Sequence, residues 1–95
     1  MAEQNEDRTI RIELEFSGTR TYKDEVRRIC GLNRNTYRTV IAEISQDEDE
    51  NSQFVQELKA SRRKNTLTTY CAKKIIRHVY EGMGLFVKFR MTARA

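Results

Sequence analysis

The chain has 95 residues, 38% hydrophobic and 34% charged, with a formal net charge of +4. That length suits one small domain with a modest core and leaves no room for a second. No apolar run approaches the ~18 to 20 residues that span a bilayer, and the polar, acidic start MAEQNEDR is unlike a signal peptide, so the expectation is an intracellular protein of cytoplasm or nucleus.

Residues 1–7 show no periodicity and read as a disordered acidic tail, with 8–95 as the single domain. From Arg8 the pattern alternates: Ile10, Ile12, Leu14 and Phe16 share one face, Thr9, Arg11, Glu13 and Glu15 the other, which predicts a half-buried strand ended by Ser17-Gly18. Thr19 or Thr21 can then cap a helix with Asp24 and Glu25 in its first turn and Tyr22, Val26, Ile29 and Cys30 on its apolar face. Gly31 interrupts the helical period, which resumes near Asn33 or Asn35 and buries Tyr37, Val40, Ile41 and Ile44 as far as Gln46. QDEDENSQ is a polar break, where Asn51 or Ser52 can cap a third helix carrying Phe54, Val55 and Leu58. Its end, Lys59 to Lys64 (KASRRK), is the densest basic cluster, and the hydroxyl-rich stretch after it predicts a helix N-terminus beside it, a combination that suits phosphate.

The fourth helix is expected from about Thr68 to Glu81, with Leu67, Cys71, Ala72, Ile75, Ile76 and Val79 inside, Lys73, Lys74 and Arg77 outside, and Gly82 as its C′ residue. Beyond Gly84 the period returns to two: Leu85, Val87, Phe89 and Met91 against Phe86, Lys88, Arg90 and Thr92. The outer faces of the two terminal strands are opposite in charge, so Glu13 and Glu15 can sit across from Lys88 and Arg90. The predicted fold is therefore α+β: about four short helices enclosed by an N-terminal and a C-terminal β-strand that pair as a ribbon, around a helix-turn-helix-like core.

Charge is unevenly distributed. Glu3, Glu6, Asp7 and the run Asp47 to Glu50 hold half of the fourteen acids, so the rest of the chain is strongly basic, a balance that suits a polyanionic partner. Cys30 and Cys71 lie among apolar positions and read as buried thiols. His78, the only histidine, follows Cys71 by seven residues, with no tight Cys or His pair for a metal, so neither metal nor cofactor is expected.

Residues 23–44, KDEVRRICGLNRNTYRTVIAEI, resemble a DNA-binding helix-turn-helix: Gly31 at the turn, Val26 and Cys30 before it, Leu32, Tyr37 and Val40 after it. Arg27 departs from that pattern, which has a small residue there for close helix approach. Residues 8–46 also resemble ribbon-helix-helix repressors in their order of strand, helix, glycine turn and helix, although Glu13 and Glu15 do not suit a strand lying between phosphates.

No glycine-rich phosphate loop, nucleophile elbow or metalloprotease motif is present, and one histidine leaves little acid–base equipment, so the chain does not read as an enzyme. The expectation is a small regulatory or architectural nucleic-acid-binding protein, acting as a homodimer. The alternative is an assembly module whose basic face meets an acidic protein. The residues expected to contact nucleic acid are Arg34, Asn35, Thr36 and Arg38 on the second helix, Lys59, Arg62, Arg63 and Lys64 in the basic cluster, and Lys73, Lys74 and Arg77 on the fourth helix. Tyr22, Tyr37, Tyr70 and Tyr80 fall on or beside apolar faces rather than forming a stacking platform, which favours duplex DNA over single strands and RNA.

Overall fold

The computed structural model describes residues 10–17, 23–64 and 66–92. The expected tail, the caps at Thr19 or Thr21, and Tyr22 lie outside the described residues, as do the side chains of Phe16 and Met91. The elements are β1 (Ile10–Ser17), α1 (Lys23–Cys30), α2 (Arg34–Gln46), α3 (Gln53–Lys64), α4 (Thr69–Gly82) and β2 (Leu85–Thr92), an α+β arrangement of four helices between two terminal strands.

Local chemistry sets the helix boundaries. The Asn33 side chain accepts from the Thr36 amide and starts α2. Of the two candidate caps for α3, Ser52 does the work, its hydroxyl accepting from the Val55 amide. Thr68 accepts from the Cys71 amide at the head of α4. Each of these bonds satisfies a first-turn N–H that has no partner within its helix. At the far end of α4 the expectation needs correction: Gly82 is the last helical residue, and the left-handed residue is Gly84, at φ +80. Met83 extends the turn with its amide on the Tyr80 carbonyl, so the reversal into β2 falls two residues later than the first glycine suggests.

α4 is the hub, packing against α1, α2, α3 and β2. Its residues Cys71, Ala72, Ile75 and Ile76 are fully enclosed, and Val26 from α1, Tyr37 and Ile44 from α2, Phe54 from α3, Leu67 and Val87 complete the buried set. Burying each large aliphatic side chain of this set stabilises the fold by roughly 1.5–3 kcal/mol before entropy is counted. Val79, on the edge of the same stripe, is only half-buried. A polar contact ties the hub to α1: the Tyr80 hydroxyl donates to the Ile29 carbonyl (2.7 Å), satisfying an acceptor in the last turn of that helix. Tyr37 is buried and Tyr80 half-buried, whereas Tyr70 is 39% exposed and stands apart from the core assigned to it by pattern.

The strands pair in parallel, Ile12 opposite Val87, Leu14 opposite Phe89, Glu13 opposite Lys88 and Glu15 opposite Arg90. A parallel pair needs a long crossover, which the four helices supply. The two acids do face the two bases, as their outer faces suggest, the parallel direction sets which meets which, and Arg90 reaches diagonally to Glu13 at 3.1 Å. Both side chains of that ion pair are about half exposed, so it specifies register more than it stabilises.

Candidate nucleic-acid interface

The turn between α1 and α2 fixes the angle of the second helix. Gly31 adopts φ +66, the Leu32 amide bonds the Arg27 carbonyl (2.8 Å), and the Gly31 amide bonds the Arg28 carbonyl (3.2 Å). This is a Schellman closure, which needs a left-handed residue, and glycine takes that conformation without the steric cost of a Cβ.

Beside this turn, α1, α2 and α3 enclose an open cleft of about 950 Å³. Arg34, Arg38, Ala42 and Ser45 form one stripe of α2 along it, Leu58, Ser61 and Arg62 of α3 face them, and Lys23, Asp24 and Arg27 enter from α1. Five cations thus meet a single acid. Arg34, Arg38 and Arg62 are exposed and form no ion pair with a described residue. Cations gathered without counterions repel one another and raise the local positive potential, which favours an anionic partner.

Arg27 is held differently from these three arginines. Its Nη1 donates to Asp24 (3.1 Å), while its Nε is buried without a hydrogen-bond partner among the described residues. A buried donor left unpaired costs about 1–3 kcal/mol. Tyr37, which also lines the cleft, has its phenol pushed up to about 12, chiefly by burial, with Arg27 opposing the shift.

The structure brings together Arg34 and Arg38 from α2 with Arg62 from α3. Asn35 and Thr36 are exposed on α2 but lie off the cleft, and the Thr36 hydroxyl is engaged with Asn33 at 3.1 Å. Lys59, Arg63 and Lys64 are exposed on α3 away from the cleft. The α4 N-terminus beside them is met by a carboxylate of the protein itself: the Thr68 hydroxyl donates to Glu57 Oε1 (2.6 Å). That charge already complements the helix end.

The three cations of α4 lie elsewhere. Lys73 and Arg77 stand over the Phe89 ring, and Lys74 pairs with Glu48 while lying over Phe54. Arg77 also reaches Glu81 at 4.0 Å. The pattern of basic residues in the sequence does not single out Lys23 and Arg27 as part of this site. The usable signal was Arg27 itself: a long cation next to Val26, where two helices meet, has room only if a cleft opens there.

The cysteines are free thiols, Cys71 buried and Cys30 half-buried, and burial pushes the Cys30 thiol up to about 11 and Cys71 upward as well. Both are therefore poor nucleophiles at neutral pH. His78 lies 3.3 Å from Glu43 on the helix surface. Among the described residues no three His, Cys, Asp or Glu side chains gather as metal ligands, and no helix is long and apolar enough to cross a membrane. No protein-family model, curated protein or solved structure matches the chain.

Proposed function

We infer that this chain is a small nucleic-acid-binding protein of the cell interior, acting as a homodimer in a regulatory or architectural role, with duplex DNA as its partner. One observation carries the reading: Arg34, Arg38 and Arg62 converge from two helices on a cleft with no described carboxylate paired to them, beside the unpaired Nε of Arg27. Arginine suits phosphate because its planar fork presents paired donors and stays charged at any physiological pH. Asn35, one residue from Arg34, is the exposed side chain of α2 best suited to a base edge. Lys59, Arg63 and Lys64 would extend the positive field along α3 and attract the backbone without reading sequence.

The test is an electrophoretic mobility shift with random duplex, single strand and RNA at two salt concentrations, comparing the parent with Arg34→Gln/Arg38→Gln/Arg62→Gln. Each lost phosphate contact should flatten the slope of log K against log salt by about 0.9, so the triple variant should flatten it by about 2.7 in all while keeping the parent's thermal melt. A slope that does not change, at an unchanged melt, rejects the cleft as the phosphate site. Parent protein that binds none of the three nucleic acids, yet binds an acidic polypeptide, assigns the basic face to a protein partner instead.

A further inference from the structure

β1 pairs with β2 along one edge, and among the described residues its other edge meets no strand. Its principal neighbour is β2 rather than a helix, and Ile10, on the face that points toward the core, is 59% exposed. An open edge of this kind is a template for another strand, and the side chains flanking it decide which strand fits. We propose that two copies of the chain join through their β1 edges, antiparallel about a two-fold axis, in the register that sets Ile12 opposite Ile12. This specifies the dimer of the reading above and rests on that clause alone, not on nucleic-acid binding.

The assignment follows from charge and face. On the outer face β1 presents Arg11, Glu13 and Glu15, all exposed. With Ile12 on the axis, Arg11 stands opposite the second copy's Glu13, and Glu13 opposite its Arg11, so symmetry makes the opposite-charge pair twice. On the inner face the same register sets Ile10 beside the second copy's Leu14, again twice, and covers the most exposed isoleucine of the sheet. Sliding by two residues, so that Arg11 meets Glu15, puts Glu13 against Glu13 on the axis.

β2 cannot pair with itself in this way. Its outer face carries Phe86, Lys88 and Arg90 and no acid, and its central antiparallel registers set Lys88 opposite Lys88 or Arg90. A β1 edge against a β2 edge is compatible in charge but heterologous, so it gives a ring where the rotation closes and growing chains where it does not, rather than a two-fold pair. The two-fold β1 contact is closed, with strand order β2, β1, β1, β2 across four strands.

Two charge reversals on the full chain test this by sedimentation equilibrium at micromolar concentration. The parent should run at twice 11.2 kDa. Arg11→Glu sets acid against acid at both cross-copy pairs, and Glu13→Arg sets base against base, so each alone should raise the dissociation constant by about tenfold or more, a loss of at least ~1.4 kcal/mol. Mixed in equal amounts, the two variants restore an opposite-charge pair at both cross-copy positions 11 and 13, and the heterodimer should return. A monomeric parent, a mixture that stays monomeric, or assembly that grows beyond two copies overturns the proposal. Should a reversal disturb the circular dichroism of the fold, Arg11→Gln carries the test: it removes both opposite-charge pairs and must weaken the dimer several-fold, and an unchanged dimer overturns the assignment. The mobility shift is read separately, so a monomeric parent that still binds duplex removes the dimer and leaves the cleft reading standing.

Discussion

Alkaline pH should unfold this protein through groups that its core holds in the neutral form. Tyr37 is only 4% exposed, and burial raises its phenol from 10.0 to about 12. The unfolded chain releases that proton near pH 10 and the folded chain near 12, so the stability present below pH 10 is lost as the pH climbs through that interval. Two pH units at ~1.4 kcal/mol each amount to roughly 3 kcal/mol, a large part of the ~5–15 kcal/mol that holds a domain together. Cys30, held at about 11 against 9.0, opens the window one unit earlier, and the upward shifts of Cys71 and Tyr80 act in the same sense. At ~4–8 °C of Tm per kcal/mol for a domain of this size, Tyr37 alone should lower Tm by roughly 12–24 °C across its window. The assay is a series of thermal melts by circular dichroism from neutral pH to about 11.5, on the parent and on Tyr37→Phe, which keeps the ring and removes the titrating proton. The two Tm curves should run parallel up to pH 10 and separate above it, the variant falling less steeply. Curves that stay parallel throughout would show that Tyr37 titrates alike in both states and refute the reasoning.

Two further outcomes follow from particular contacts. Gly31→Ala meets no atom within 4 Å of the new Cβ, so its cost is the left-handed backbone alone, about 1–2 kcal/mol; a urea midpoint equal to the parent's would mean that the turn relaxes out of its φ of +66. Lys73→Ala/Arg77→Ala removes the two cations that stand over Phe89, at about 0.5–1 kcal/mol for each exposed cation–π contact. It should therefore lower stability by chemical denaturation while leaving the salt slope of duplex binding at the parent value, and a flattened slope would place these residues in the interface.

The elements of this protein were written locally, and so were legible in the sequence. Alternation of period two marks Ile10 to Phe16 and Leu85 to Met91 as strands, and the 3.6 period, with candidate caps at Asn33 or Asn35 and at Asn51 or Ser52 and a start near Thr68, marks α2, α3 and α4, because side-chain spacing and first-turn hydrogen bonds depend on residues a few positions apart; the structure selects Asn33, Ser52 and Thr68. That Glu13 and Glu15 face Lys88 and Arg90 was readable too, since the two outer faces carry complementary charge; which acid meets which base follows from the parallel direction of the strands.

Tertiary packing decided the rest. Nothing in the strands themselves says that they run parallel; that depends on where four helices deliver the chain. The basic residues looked like one population, and the fold divided them. Arg34, Arg38 and Arg62 turn toward a common cleft with Arg27 and Lys23, whereas Lys73, Lys74 and Arg77, just as basic in sequence, are drawn onto Phe89, Phe54, Glu48 and Glu81. The physical reason is that charge is a property of a residue, but the potential at a point is a sum over neighbours. Which neighbours those are is set by how α4 packs against the other helices and β2.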